Sequence, residues 1–67
     1  MSVASVTEIS ATSTQSFDDA VAQGIARATD TLRNVKGAWD KESKVDMEDG
    51  SISAYKVKMQ VTFLVDN

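Results

Sequence analysis

The sequence predicts an α+β fold of β-α-β-β order, in which a small three-stranded antiparallel sheet wraps around one helix. Three observations predict it. Residues 16–34 are the only segment with the apolar spacing of a long helix. Residues 2–10 and 36–65 have the composition or the two-residue alternation of strands. The pair Asp49-Gly50, between the last two strands, is a strong turn signal.

The first strand is predicted at residues 2–10, because Val3, Val6, Thr7 and Ile9 favour β structure. Residues 11–15 are polar and are expected to form the connection into the helix. Their hydroxyl groups are expected to satisfy nearby backbone donors.

The helix is predicted over residues 16–34, with one apolar face and one polar face. The apolar positions are Phe17, Val21, Ile25, Ala28 and Leu32. Ser16 is the expected N-cap that accepts from the Asp19 N–H, and the Asp19 carboxylate is expected to reach back in a variant of the capping box. Arg33 is expected near the negative end of the helix dipole.

The second strand is predicted at residues 36–48, with charged side chains at even positions and a drier side that holds Trp39. The third strand, residues 51–65, has its apolar side chains at odd positions. Its polar side carries Lys56 and Lys58. The apolar side of this strand is expected to cover the helix.

The loop length decides which faces of the last two strands coincide. A three-residue loop, Glu48-Asp49-Gly50, pairs Trp39 with Met59 and Gly37 with Val61, and so keeps the dry faces together. We favour this loop, although a shorter turn with a bulge further along the strands would also place the dry faces on the same side.

Composition limits the function classes. Sixty-seven residues make a single domain over residues 1–67, and one this small is expected to gain stability by self-association, since it has no Cys for disulfides. The net charge of −3 argues against nucleic acid as a partner. The chain has no His and no apolar run long enough to span a membrane. No signal peptide is recognised, so a cytoplasmic protein is expected, and no catalytic motif is present, so an enzyme is not.

Three kinds of side chain are candidates for a binding site. Trp39 offers a flat face for stacking an aromatic ligand, or an anchor at a protein contact. Lys56 and Lys58 suit a phosphate, or are simply solvated. Acidic residues of the second strand and turn suit Ca²⁺ or Mg²⁺ shared between subunits, although their spacing is not that of an EF-hand. These acidic residues are Asp40, Glu42, Asp46, Glu48 and Asp49.

Taken together, these patterns resemble the dodecin family. The stretches that carry the resemblance are Ala11-Thr12-Ser13, Ser16-Phe17, Ala26-Arg27-Ala28, Thr31-Leu32-Arg33-Asn34-Val35, Glu48-Asp49-Gly50, and Tyr55, Val57, Val61 and Phe63. The resemblance covers almost the whole chain in order. It implies a hollow homododecamer of β-α-β-β subunits that binds riboflavin or FMN at subunit interfaces, for storage or sequestration rather than catalysis.

The resemblance also implies a flavin site at Gly37, Ala38, Trp39, Asp46 and Lys56. Gly37 stands where family members have the Trp that stacks on the flavin, and Trp39 lies two residues further along. Lys56 replaces a Gln that contacts the flavin edge, and Asp46 stands at the position of an acidic residue near the ligand. The alternative prediction is a structural cage that does not bind flavin and holds cations or other small ligands.

Overall fold

The structure, a computed structural model, describes residues 3–65. Its elements are β1 (Val3–Ser13), α1 (Phe17–Thr31), β2 (Val35–Glu48) and β3 (Ser51–Val65). The strands form one antiparallel sheet in the order β1-β3-β2, so that β3 is central and β1 and β2 are the edges. The predicted β-α-β-β order and three-stranded sheet are confirmed. The predicted start of the first strand at Ser2 lies outside the described residues.

Strand β1 continues three residues beyond its predicted end. Ala11, Thr12 and Ser13 pair with β3, so the connection to the helix is shorter than expected. Ser13 is buried, and its hydroxyl donates to Asp19 at 2.6 Å and accepts from the Gln15 N–H at 2.9 Å. Local hydroxyl bonding at this junction was expected, and it comes from Ser13.

The helix begins as predicted. Ser16 has extended backbone angles (φ −169°, ψ 166°), and its hydroxyl accepts from the Asp19 N–H at 2.9 Å. The second half of the predicted capping box is wrong, because the Asp19 carboxylate does not turn back to Ser16. It accepts from Ser13 Oγ and from Gln23 Nε2 instead, at 2.6 and 2.5 Å.

The helix ends three residues earlier than predicted. Leu32 is the C-cap, with extended angles (φ −114°, ψ 145°), and Arg33 therefore lies beyond the last turn. The hydroxyl groups of Thr29 and Thr31 bond to helix carbonyls near this end, the kind of local bonding that disfavours further helix. Asn34 then adopts a left-handed conformation (φ 57°) where the chain enters β2.

Replacing Ser16 by Ala should lower the free energy of unfolding by about 1 kcal/mol, because the Asp19 N–H loses its acceptor. Urea denaturation of purified protein would measure the change. Thr14→Ala is the matched control, since Thr14 is exposed in the same connection. Equal stabilities of the two variants would show that the cap contributes nothing.

The helix packs on the side of the sheet that carries Val57, Met59 and Val61, as predicted for the apolar side of β3. The buried helix positions are the small residues Ala20, Gly24 and Ala28, one turn apart. The larger residues Phe17, Val21 and Ile25 are partly buried and pack against this core. Small residues at the centre allow the helix axis to lie close to the sheet. Phe17 also meets Tyr55 edge to face, with ring centroids 5.1 Å apart.

The three-residue loop predicted between β2 and β3 is wrong. Glu48 pairs with Ser51, so the turn consists of Asp49 (φ 51°) and Gly50 (φ 80°) alone. Two left-handed residues are typical of the tight hairpin turn whose twist matches that of the strands. An extra residue at Ser53 in β3 then brings the apolar side chains of the two strands back to the same face.

A second extra residue, Lys41 in β2, shifts the pairing again, so that the side chains of residues 37–40 lie on the opposite face from the one predicted. As a result Trp39 pairs with Gln60 and Gly37 pairs with Thr62, not with Met59 and Val61 as predicted. The sequence alternation gave no sign of this bulge, because Lys41 lies within a run of charged residues.

The register defines a second side of the sheet, which we call the open face. It carries the β3 residues Lys56, Lys58 and Gln60, which alternate with those that contact the helix. Trp39, as the partner of Gln60, lies on the open face and is 54% exposed. No helix in the described part of the chain is long and apolar enough to cross a membrane.

Candidate functional site

The open face contains a groove of about 590 Å³ that runs over the middle of the sheet. The open-face residues that line it are Ser10, Thr12, Glu42, Lys44, Lys56 and Lys58. Lys44 and Lys56 lie directly opposite each other, and like charges in this position destabilise a strand pair. Glu42 faces Lys58 and forms an ion pair with it at 3.3 Å.

Asp46 and Lys56 were both predicted as site residues. Lys56 lines this groove and forms an ion pair with Asp46 at 2.9 Å. The hydrogen bond from Lys56 holds the pKa of Asp46 below its ordinary value. Desolvation opposes this shift in pKa, whereas the charges of Lys56 and Lys44 add to it. Ser53, the bulge residue, fixes the strand here by donating to the Asp46 carbonyl at 3.2 Å.

Lys56→Gln should raise the pKa of Asp46 towards its ordinary value. A carboxyl whose folded pKa is lowered stabilises the fold above its unfolded pKa, about 3.9, and loses that contribution as pH falls through the folded pKa. The wild type should therefore keep Asp46 charged to a lower pH than the variant. NMR titration of the side-chain carboxyl carbon measures this. Lys36→Gln, remote from Asp46 on β2, is the control, and an unchanged pKa in Lys56→Gln would contradict the assignment.

Trp39 lies further along the open face, beside Gly37. The two residues are separated by one position on β2, so they share this face. A Cβ atom added to Gly37 would have no neighbour within 4 Å, and the space next to the indole is therefore open. Lys41, in the adjacent bulge, extends across β3 and forms an ion pair with Glu8 of β1 at 3.4 Å.

The family model described as Dodecin matches residues 3–66, nearly the whole chain. The chain belongs to the dodecin family. It is similar to the dodecin from Streptomyces davaonensis, with 35% identity over 98% of this chain and 97% of the other, and a TM-score of 0.93. It is also similar to a mutant of the Thermus thermophilus dodecin, with 25% identity over 100% of both chains and a TM-score of 0.94.

A third similar structure comes from Mycobacterium tuberculosis. It is described as a calcium-chelating immunodominant antigen, calcium dodecin, with a novel calcium-binding site. Its identity to this chain is 29% over 96% of this chain and 91% of the other, and the TM-score is 0.82. A comparison with curated protein sequences gave no match.

Within one copy of this dodecin the predicted site residues form two groups. Asp46 and Lys56 are in contact, whereas Gly37 and Trp39 lie beside Gln60, which is four residues or about 13 Å further along β3. Ala38 pairs with the buried Val61, so its side chain points to the helix side. It can face a ligand on the open face only through its backbone.

Three acidic residues of β2 are engaged individually rather than as a cluster. Asp40 accepts from Ser43 Oγ at 2.6 Å, and Glu42 and Asp46 pair with lysines. In residues 3–65 no group of three acidic side chains is arranged to hold a metal ion.

Gln60 is the residue of this surface that sequence reasoning missed. Its position on the polar side of β3 was predictable from the alternation of that strand. Its pairing with Trp39 was not, because that pairing depends on the bulges at Ser53 and Lys41.

Proposed function

We propose that this dodecin is a non-catalytic cytoplasmic protein that stores or sequesters a flavin, riboflavin or FMN, between the subunits of a hollow homododecamer. The exposure of Trp39 on the open face is the observation that carries the proposal. A half-exposed indole beside open space offers a large flat surface to a stacked aromatic ring. Membership of the dodecin family supports a flavin as this ring.

Gly37 contributes to the proposed site because it has no side chain. Without a side chain at this position, the β2 backbone from Gly37 to Trp39 is accessible to a flat ring that lies against the indole. An offset-stacked pair of rings contributes roughly 0.5–1.5 kcal/mol beyond the area it buries. Trp39 is thus the stacking platform, and Gly37 and Ala38 form its floor.

Asp46 and Lys56 lie about 13 Å along the sheet from Gln60, the strand partner of Trp39, so they do not flank the indole of the same copy. In the proposed assembly they contact a flavin held by the Trp39 of a neighbouring copy. Lys56 and the nearby Lys44 carry the positive charge that the phosphate of FMN requires, and the lowered pKa of Asp46 keeps its carboxylate charged as an acceptor.

The assembly is supported by apolar side chains that one copy leaves uncovered. These are Val3, Val6, Trp39, Met47, Ile52 and Val65. Both edges of the sheet are long strands, which favour pairing with further copies. Met47 and Ile52 face each other near the hairpin turn and are 58% and 47% exposed, so this tip is a strong candidate for a subunit contact.

Titration of riboflavin with purified protein tests the flavin proposal. Riboflavin fluorescence should be quenched at micromolar protein, because an indole stacked on the excited ring can transfer an electron to it. Light scattering on the same sample should give a mass near twelve times 7.2 kDa. Unchanged fluorescence would overturn flavin binding, whereas a monomer mass would overturn the assembly.

Ile52→Asp should break the assembly, since it places a charge where an apolar contact between copies is proposed. The mass measured by light scattering should fall from that of twelve copies to that of one or a few. Ser51→Asp, a change at the exposed neighbouring residue that begins β3, should retain the full mass. A twelve-copy mass for Ile52→Asp would exclude the hairpin tip from the subunit contacts.

A cage that holds cations and not flavin is the second candidate. The similarity to the calcium dodecin of M. tuberculosis favours it. Carboxylates of β2 from neighbouring copies would be the ligands, since Ca²⁺ and Mg²⁺ prefer oxygen donors. Calorimetric titration with Ca²⁺ separates the two candidates: heat of binding without quenching of riboflavin would favour the cation cage.

A further inference from the structure

A row of three side chains crosses the open face at the level of Trp39. Trp39 on β2, Gln60 on β3 and Glu8 on β1 are direct partners in the two strand pairs. Direct partners have Cβ atoms about 4.5–5.5 Å apart, so the Gln60 amide lies within reach of any ring that stacks on the indole. Gln60 is partly buried, which limits the directions in which its amide can point.

The one charged member of this row, Glu8, is already paired. Glu8 binds Lys41 at 3.4 Å across the sheet. The hydrogen bonds found within residues 3–65, by contrast, include none to the Gln60 side chain. The available polar group beside Trp39 is therefore a neutral amide, which presents one donor and one acceptor in a single plane.

We infer that Gln60 recognises the edge of the ring that stacks on Trp39, through one donated and one accepted hydrogen bond. The matching ligands are flat heteroaromatics that carry an N–H donor next to a carbonyl acceptor, as the dione edge of a flavin does. This inference rests on the proposed function and deepens it, since it names the group that selects the ligand. A ligand without the N–H leaves the amide oxygen unpaired and binds about tenfold more weakly.

Lumiflavin and 3-methyllumiflavin are suitable probes, because the methyl group replaces the N–H donor and leaves the carbonyl acceptors of the ring in place. Quenching titrations of the wild type should give about tenfold weaker binding of the methylated ring. Gln60→Leu should bind both rings with similar affinity, close to that of the wild type for 3-methyllumiflavin. Gln15→Leu, an exposed glutamine in the β1–α1 connection, should discriminate as the wild type does.

Light scattering on each variant shows whether the assembly is intact, and Gln60→Glu provides a second variant of the same size. The carboxylate introduced by Gln60→Glu cannot donate when charged, so binding of lumiflavin should weaken. Equal affinity of the wild type for both rings would overturn the role of Gln60, as would discrimination that survives in Gln60→Leu. If neither ring is quenched by the wild type, the proposed function itself fails, and this inference fails with it.

Discussion

Gly24→Leu is expected to lower the free energy of unfolding by about 3 kcal/mol, the upper end of the usual cost of overpacking a core. A Cβ atom at Gly24 would lie 2.5 Å from Met59 Cε, 3.2 Å from Ala11 Cβ and 3.5 Å from Ile9 Cδ1. Met59 is itself fully buried, so its methyl group has little free space to move into. A domain of this length has only a few kcal/mol of stability in total, so most of it should be lost.

Urea denaturation followed by circular dichroism measures this effect. Ala26→Leu is the matched control, because it adds the same side chain to an exposed position of the same helix. Gly24→Ala should fall between them: alanine gains about 1 kcal/mol of helix propensity, which the displacement of Met59 offsets. Equal stability of Gly24→Leu and Ala26→Leu would show that the helix does not lie as close to β1 and β3 as described.

Trp39→Ala is expected to abolish the quenching of riboflavin and to weaken flavin binding at least tenfold. The indole is the sole tryptophan side chain of the sequence, and its loss removes both the stacking surface and the electron donor. Quenching titrations measure the first effect, and equilibrium dialysis measures the second without relying on the indole. Trp39→Phe should retain part of the affinity, because a smaller ring still stacks.

Asp30→Ala is the control, since Asp30 is exposed on α1, which packs on the opposite side of the sheet from Trp39. The double variant Gly37→Trp, Trp39→Ala moves the indole to the neighbouring position of the same face, where no atom obstructs it. It should recover part of the quenching. Full affinity in Trp39→Ala would place the flavin elsewhere or exclude it.

Two local features of the fold were predicted correctly from the sequence. The Ser16 cap and the turn at Asp49-Gly50 depend on residues close together in the chain, and both are present. The order of elements was likewise correct. The end of the helix and the length of the hairpin loop are local features that were predicted wrongly. Other predictions failed where a distant partner decides the outcome. The Asp19 carboxylate was expected to reach back to the helix cap, but it accepts a hydrogen bond from the buried Ser13 hydroxyl of β1 instead. The predicted apolar face of the helix included Ala28 but not Ala20 or Gly24, which are also buried at its centre, because Met59 fills the space beside Gly24.

The sequence by itself determined one helix, three strands, the lack of Cys and His, and which side chains are available for binding. Only the tertiary structure decided which of them share a surface. A single extra residue in a strand moves every following side chain to the other face, and the bulge at Lys41 leaves no mark in the run of charged residues around it. For that reason Trp39 faces Gln60 on the open face and not Met59 beneath the helix.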